Sequence, residues 1–294
     1  MELFLTLLFI GIGLGCVYGL IGLSVISVFN ATKVWNFAQG SMVMLGALFA
    51  FVFVQKQGWS YWWTLPLIIL IVIMIGLIIN WLTVTPLLAR GTPVLTIIVS
   101  TYAMFMALEG IAGIATRHAY YFVPTLMPVQ SWKLGFMNIV PQYALAVMVT
   151  AVVMVLYWFF LYRTRVGWAY RATSINRDMC GLLGISTWTM IAIAFGINAS
   201  IAAVAGVVVG PLWAINAASG FSLMIKGFIA AVVGGVGSPF AAVVGGIIIG
   251  VAQVLVGGYL ASGYAELVVF GIFIFVLMVK PEGLLEKRGA AHGH

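Results

Sequence analysis

Five long stretches of this chain carry no acidic or basic side chain: residues 34–55, 57–89, 134–162, 179–225 and 227–265. About 20 apolar residues suffice to cross the hydrocarbon core of a bilayer as a helix, so each stretch has room for one span or more. Composition agrees, since 64% of the 294 residues are hydrophobic and 6% charged, where a soluble domain carries about 25% charge. A mean hydropathy of +1.20 leaves too little polar surface to cover a soluble globule. Lipid must be the solvent for much of the chain.

This reading places spans near residues 3–27, 37–54, 62–84, 94–115, 139–161, 189–213 and 264–279. Between 221 and 258 the pattern is interrupted by Gly234, Gly235, Gly237, Ser238 and Pro239. Residues 221–236 would make a helix only about 24 Å long, short of a core of about 30 Å. The expected fold is an all-α polytopic bundle of eight or nine segments, one domain over 1–294, with a broken or re-entrant helix in that region. Arg163, Arg165, Arg171 and Arg177 in the cytoplasm bring Lys33, Arg90, Lys280, Lys287 and Arg288 to the same side, while Lys56, Arg117, Lys133 and Lys226 fall outside. The larger basic group then lies inside, which sets the N-terminus outside and the C-terminus in the cytoplasm.

Met1-Glu2-Leu3-Phe4 lacks a positive n-region, so the first apolar run reads as a retained span and not a signal peptide. Trp59, Tyr61, Trp62, Trp63, Tyr120, Tyr121 and Trp132 suit an outer interfacial belt. Gly11, Gly15 and Gly19, Gly206 and Gly210, and Gly246 and Gly250 recur at i+4, the spacing of close helix packing. Cys16 and Cys180 have no partner at a metal-ligand or redox spacing and read as structural.

Enzyme chemistry finds little material. The histidines are His118, His292 and His294, two of them in the tail, and no HExxH, GxSxG or GxxxxGK[ST] pattern occurs. No metal site or cofactor is expected, and the dispersed basic residues do not make a nucleic-acid footprint. If ATP is consumed, it binds another chain. An ion-driven carrier is the alternative, and it would place ionisable groups at mid-membrane. Glu109 reads either as an interfacial or paired group or as part of a solute path, and Lys226 either snorkels or lines an outer entrance. Nothing resembles a channel filter.

Two segments stand out. In the first, Asn30, Asn36 and Gln39, with Gly40, interrupt apolar sequence; Asn36 serves either as a helix cap or as part of a hinge or gate. The second is the basic loop 163–188. Its middle suits a short amphipathic helix with Tyr170, Ile175 and Met179 apolar, Arg171 and Arg177 charged, and Gly184 as a stop. Such a helix can dock in a groove of another protein, whereas a plain topology loop needs only its charge.

The chain resembles the permease subunits of branched-chain amino acid ABC importers, a family that includes carriers of urea and amides. The resemblance covers nearly the whole chain. It rests on Asn36-Phe37-Ala38-Gln39-Gly40 followed by Met44-Leu45-Gly46-Ala47; on Gly167, Arg171-Ala172, Asn176-Arg177 and Leu183-Gly184-Ile185; on the run from Gly227 through Gly234, Gly235, Gly237 and Ser238; and on Lys280-Pro281-Glu282-Gly283-Leu284-Leu285.

The resemblance implies the shorter of two paired permeases in a bacterial inner membrane, working with a second related permease, two ATPase subunits and an external solute-binding protein. It implies that Gly167, Arg171, Asn176, Arg177, Met179, Leu183, Gly184 and Ile185 couple to the ATPase. Asn30, Asn36, Gln39, Gly40, Glu109, Lys226, Gly234, Gly235, Gly237 and Ser238 are then candidates for the path or gate. Gln39 stands where the family often has His, Lys280 where it often has Arg, and Cys180 where Ala is usual.

Overall fold

The computed structural model describes residues 2–127, 132–134 and 137–285, with backbone alone at 132–134 and 137–138. The expected positions of Lys287, Arg288, His292 and His294 lie outside these residues, as do the side chains of Trp132 and Lys133. The chain folds as α1 (Glu2–Thr32), α2 (Gln39–Ala50) running on into a π-helical turn Phe51–Lys56, and α3 (Tyr61–Ile79), which continues through Asn80–Val84 into the short α4 (Thr85–Ala89). Then come α5 (Val94–Thr116), a hairpin of β1 (Trp132–Leu134) and β2 (Met137–Ile139), α6 (Pro141–Arg163), α7 (Arg165–Ile175) and α8 (Arg177–Leu182). The chain ends in α9 (Thr187–Val209), α10 (Ser219–Gly234), α11 (Ala241–Tyr259) and α12 (Ser262–Val279). Helices dominate because each satisfies its own backbone hydrogen bonds where water is absent.

Among the described residues eight helices are long and apolar enough to cross a membrane, and α10 is a ninth, shorter apolar helix. The interruption expected near 221–258 is a break at 235–240 between α10 and a full-length α11. The protein is therefore an all-α, multi-pass membrane bundle.

Helix α1 is the hub, buried from Gly13 to Val28. Its small residues bring α11 into backbone contact: a Cβ added to Gly11, Gly15 or Gly19 would lie 2.5–2.7 Å from the Cα of Val251, Ile247 or Val243. Gly246 and Gly250 offer the matching surface on α11. Gly206 of α9 lies in the same way against the backbone of α2 at Val43. Small side chains here replace the hydrophobic driving force, which lipid does not supply between helices.

Two helices begin late. α1 ends at Thr32, and Lys33 takes the left-handed conformation (φ 54°) common just past a helix end. The chain then runs back non-helically, with Trp35 stacked on Phe29 at 4.2 Å. Gln39, the first residue of α2, donates to Ser24 Oγ. Ser24 precedes the end of α1 by two turns, about 12 Å. After α9, residues 210–218 are irregular and tie back to the α5–α6 connection through the paired backbones of Ile215 and Tyr121. The late starts meet where Gly40 of α2 touches Gly220 of α10.

Candidate functional site

A polar-walled cavity forms around Lys226, on the second turn of α10. Its ammonium is 2.6 Å from Glu266 Oε1, on the first turns of α12. The lysine side chain is 8% exposed and the glutamate 52%, so one charge is buried and the other faces open space. The same Glu266 oxygen accepts from Gln253 Nε2 at 3.3 Å, and Gln253 Oε1 in turn accepts from Tyr18 at 2.8 Å. The Lys226 ammonium also lies 5.3 Å from the Trp213 ring centroid and 5.6 Å from that of Tyr18. A desolvated cation gains about 2 kcal/mol from such ring faces, which helps offset its lost hydration. Trp213, Ile215, Ser219, Ser222, Leu223 and Gln253 complete, with the ion pair, the wall of a cavity of about 460 Å³. The Lys226 side chain thus turns into the bundle and pairs there with Glu266. Gln253, Trp213 and Tyr18 escaped the sequence reading, although an amide inside the apolar run of α11 was a signal for the first.

A second group lies deeper along α1. Asn36 caps the approach to α2, its Oδ1 accepting from Ala38 N at 3.0 Å. Its Nδ2 and the Oε1 of Gln39 are buried without a partner among the described residues, at a cost of about 1–3 kcal/mol each. Gly40 completes this group through its contact with Gly220. Asn30 lies elsewhere, with Gly237 and Ser238, lining a cavity of about 340 Å³ that Arg171, Ser174 and Ile175 share. Gly234 is pressed against Ala241, and Gly235 adopts φ 126°, which strongly favours glycine. The C-terminal strap closes on this break: Leu284 N–H donates to Val233 O at 2.9 Å and Leu285 N–H to Gly234 O at 3.0 Å. Glu109 stands apart on α5, half-buried, with no hydrogen bond or ion pair among the described residues. The pairing partner its position called for is therefore not within them.

The loop 163–188 forms two helices, where the sequence suggested one. Thr164 caps α7 by accepting from Gly167 N at 2.9 Å, and Asn176 caps α8 by accepting from Met179 N at 3.0 Å. Gly167 lies against the end of α6 at Phe160 with no room for a side chain. Tyr170 is not on the outer ridge: it is buried and donates to Ser27 O of α1, and burial raises its phenol above the ordinary range. Arg177 is also an anchor, its Nε donating to Ala31 O at 2.9 Å. Desolvation and the neighbouring Arg177 charge hold the Lys33 ammonium below the usual lysine range. Gly184 ends the unit with φ 79°, and Ile185 N–H closes back on Cys180 O at 3.0 Å. Outside stands an apolar ridge among polar residues: Ile175, Met179, Leu182 and Leu183 are 85%, 56%, 84% and 77% exposed, and Arg171, Asn176 and Asp178 are exposed with them.

Comparison with known proteins agrees with this architecture. A family described as "Branched-chain amino acid transport system / permease component" matches residues 7–277. The chain is 32% identical to the high-affinity branched-chain amino acid transport system permease protein LivH of Escherichia coli (strain K12), over 97% of this chain and 96% of that one. It also matches LivM, a permease protein of the same organism's high-affinity system, at 29% identity over 45% of this chain and 33% of that one. Similarity to both points to a paired permease system. Among solved structures, PsaBC from Streptococcus pneumoniae in complex with Fab is alike in fold, with a TM-score of 0.50 at 13% identity over 96% of this chain and 93% of that one. On its sequence over nearly its full length, and on a fold that fits, the chain belongs to the family of branched-chain amino acid transport permease components.

Proposed function

We propose that the chain forms, with a second related permease, the path by which branched-chain amino acids are imported across a bacterial inner membrane at the expense of ATP. The solute comes from an external binding protein. The N-terminus is outside, and α7 and α8 are in the cytoplasm beside Arg163, Arg165 and Arg171, as the distribution of basic residues requires. Two separate ATPase subunits supply the hydrolysis and shift the equilibrium between outward and inward states.

The observation that carries the reading is the exposed ridge of Ile175, Met179, Leu182 and Leu183 on a short helical unit that Tyr170 and Arg177 bolt to α1. Four large apolar side chains at such exposure suit a partner surface, and the two anchors connect that surface to the hub helix. Gly237 and Ser238, in the break after α10, then share a cavity with Asn30 beside the ATPase contact, while Asn36, Gln39 and Gly40 lie at the constriction where α2 and α10 begin. The test is leucine uptake by the assembled transporter in proteoliposomes. Uptake should need ATP on the side bearing α7 and α8 and persist when the proton gradient is collapsed. Gradient-driven uptake by this chain alone would overturn the reading.

A further inference from the structure

The Lys226–Glu266 pair borders two spaces of different character. One is the polar cavity of about 460 Å³ beneath Trp213. The other is a pocket of about 170 Å³ walled by Phe221, Ile225, Ile229, Val269 and Phe270, and Ser222, Lys226 and Glu266 border both. The pair also has unused capacity. Lys226 commits one of three ammonium donors to Glu266, and the second oxygen of Glu266, on a half-exposed carboxylate, makes no hydrogen bond among the described residues.

We propose that this pair is a recognition site for the main-chain ammonium and carboxylate of an α-amino acid, whose aliphatic side chain lodges in the apolar pocket beside it. The inference rests on the transport reading above and assigns that reading a solute site in this chain. The ligand carboxylate accepts from Lys226 while its ammonium donates to the free oxygen of Glu266. The result is an alternating row of four charges with no net charge added. A neutral ion pair in a low-dielectric site favours such a ligand, because a lone carboxylate or a lone ammonium brings an uncompensated charge out of water. Urea and simple amides, having no charges to offer, leave both protein groups as they were. The volume of the smaller pocket suits a branched aliphatic group, and its wall away from Ser222 and the ion pair is apolar.

The experiment uses the transporter complex in nanodiscs without binding protein and measures equilibrium binding of radiolabelled leucine. Valine should compete, whereas 4-methylpentanoate, which lacks the ammonium, and 3-methylbutylamine, which lacks the carboxylate, should compete more than about tenfold less well. Glu266→Gln and Lys226→Met should each weaken leucine binding by more than about tenfold. Equal competition by the acid or the amine would overturn the proposal, and it needs no variant to fold. So would unaltered binding in either variant, or no binding by a complex that still takes up leucine with ATP. A wild-type complex that takes up no leucine at all would instead sink the transport reading, and the site with it.

Discussion

Gly40 and Gly220 each lie against the other's carbonyl: a Cβ at Gly40 would stand 2.7 Å from Gly220 O, and one at Gly220 would stand 2.6 Å from Gly40 O. The contact fixes the crossing of α2 and α10 at their first turns, so a single methyl must push the two helices apart. Gly220→Ala is expected to destabilise the detergent-solubilised protein by about 1–3 kcal/mol. Gly110→Ala and Gly271→Ala, where an added Cβ meets nothing within 4 Å, should change it by no more than about 0.5 kcal/mol. Thermal unfolding of the three variants decides, and equal shifts would mean that the crossing is not tightly packed.

The break after α10 and the strap after α12 form one unit. Gly283, at φ 92°, leaves no room for a side chain against Gly235. Gly235→Leu should release the strap, so hydrogen exchange at the Leu284 and Leu285 amides should accelerate by more than about tenfold. Transport should fall further than assembly does. Unchanged exchange would show that the strap holds without this contact, and unchanged transport would remove the break from the gate.

The apolar ridge along α7 and α8 separates docking from mere topology. Met179→Asp puts a carboxylate into the proposed partner contact, where an unpaired buried charge costs about 3–5 kcal/mol. Gly184→Val imposes a β-branched side chain on a left-handed backbone, costing about 1–2 kcal/mol. Co-purification of the ATPase and its stimulation by loaded binding protein should drop in both, while Arg171→Lys, which keeps the charge, should match wild type. Full stimulation in the first two would return the loop to a topological role.

Gln39 gives up stability, since its Oε1 is a buried acceptor with no donor among the described residues. Gln39→Leu deletes that orphan together with the donor to Ser24, so its net effect on unfolding should stay within about 1 kcal/mol. Leucine uptake should nevertheless fall by about tenfold if the amide lines the gate, a loss of about 1.4 kcal/mol in the barrier-setting step. A large drop in melting temperature with normal uptake would make Gln39 a packing residue.

The spans were legible because lipid leaves a strong signature: long uncharged runs, and glycines at i+4, of which Gly11, Gly15, Gly19, Gly246 and Gly250 lie in the α1–α11 contact and Gly206 in the α2–α9 contact, whereas Gly210 meets Val123 past the end of α9. The short α10 was legible from its length and the glycines that end it. The polar pairings were not. Lys226 and Glu266 stand 40 residues apart, and Gly40 and Gly220 stand 180 apart, so only the packing of α10 brings these partners together. In the loop, the glycine stop and the apolar spacing could be read, but Tyr170 and Arg177 carry ordinary interfacial chemistry and nothing local says that they turn inward to α1. Glu109 shows the opposite limit, a charge conspicuous in the sequence for which the described residues supply no partner.

The seam between α1 and α11 also dictates an order of assembly. Gly11, Gly15 and Gly19 leave the ribosome more than 220 residues before Gly246 and Gly250, and synthesis at about 5–20 residues per second leaves the first helix waiting through most of translation. Until then its small-residue face is open to lipid or to chaperones of the insertion machinery. That face of the hub is therefore closed only when α11 emerges, and truncation anywhere before α11 leaves the small-residue side of α1 uncovered in the bilayer.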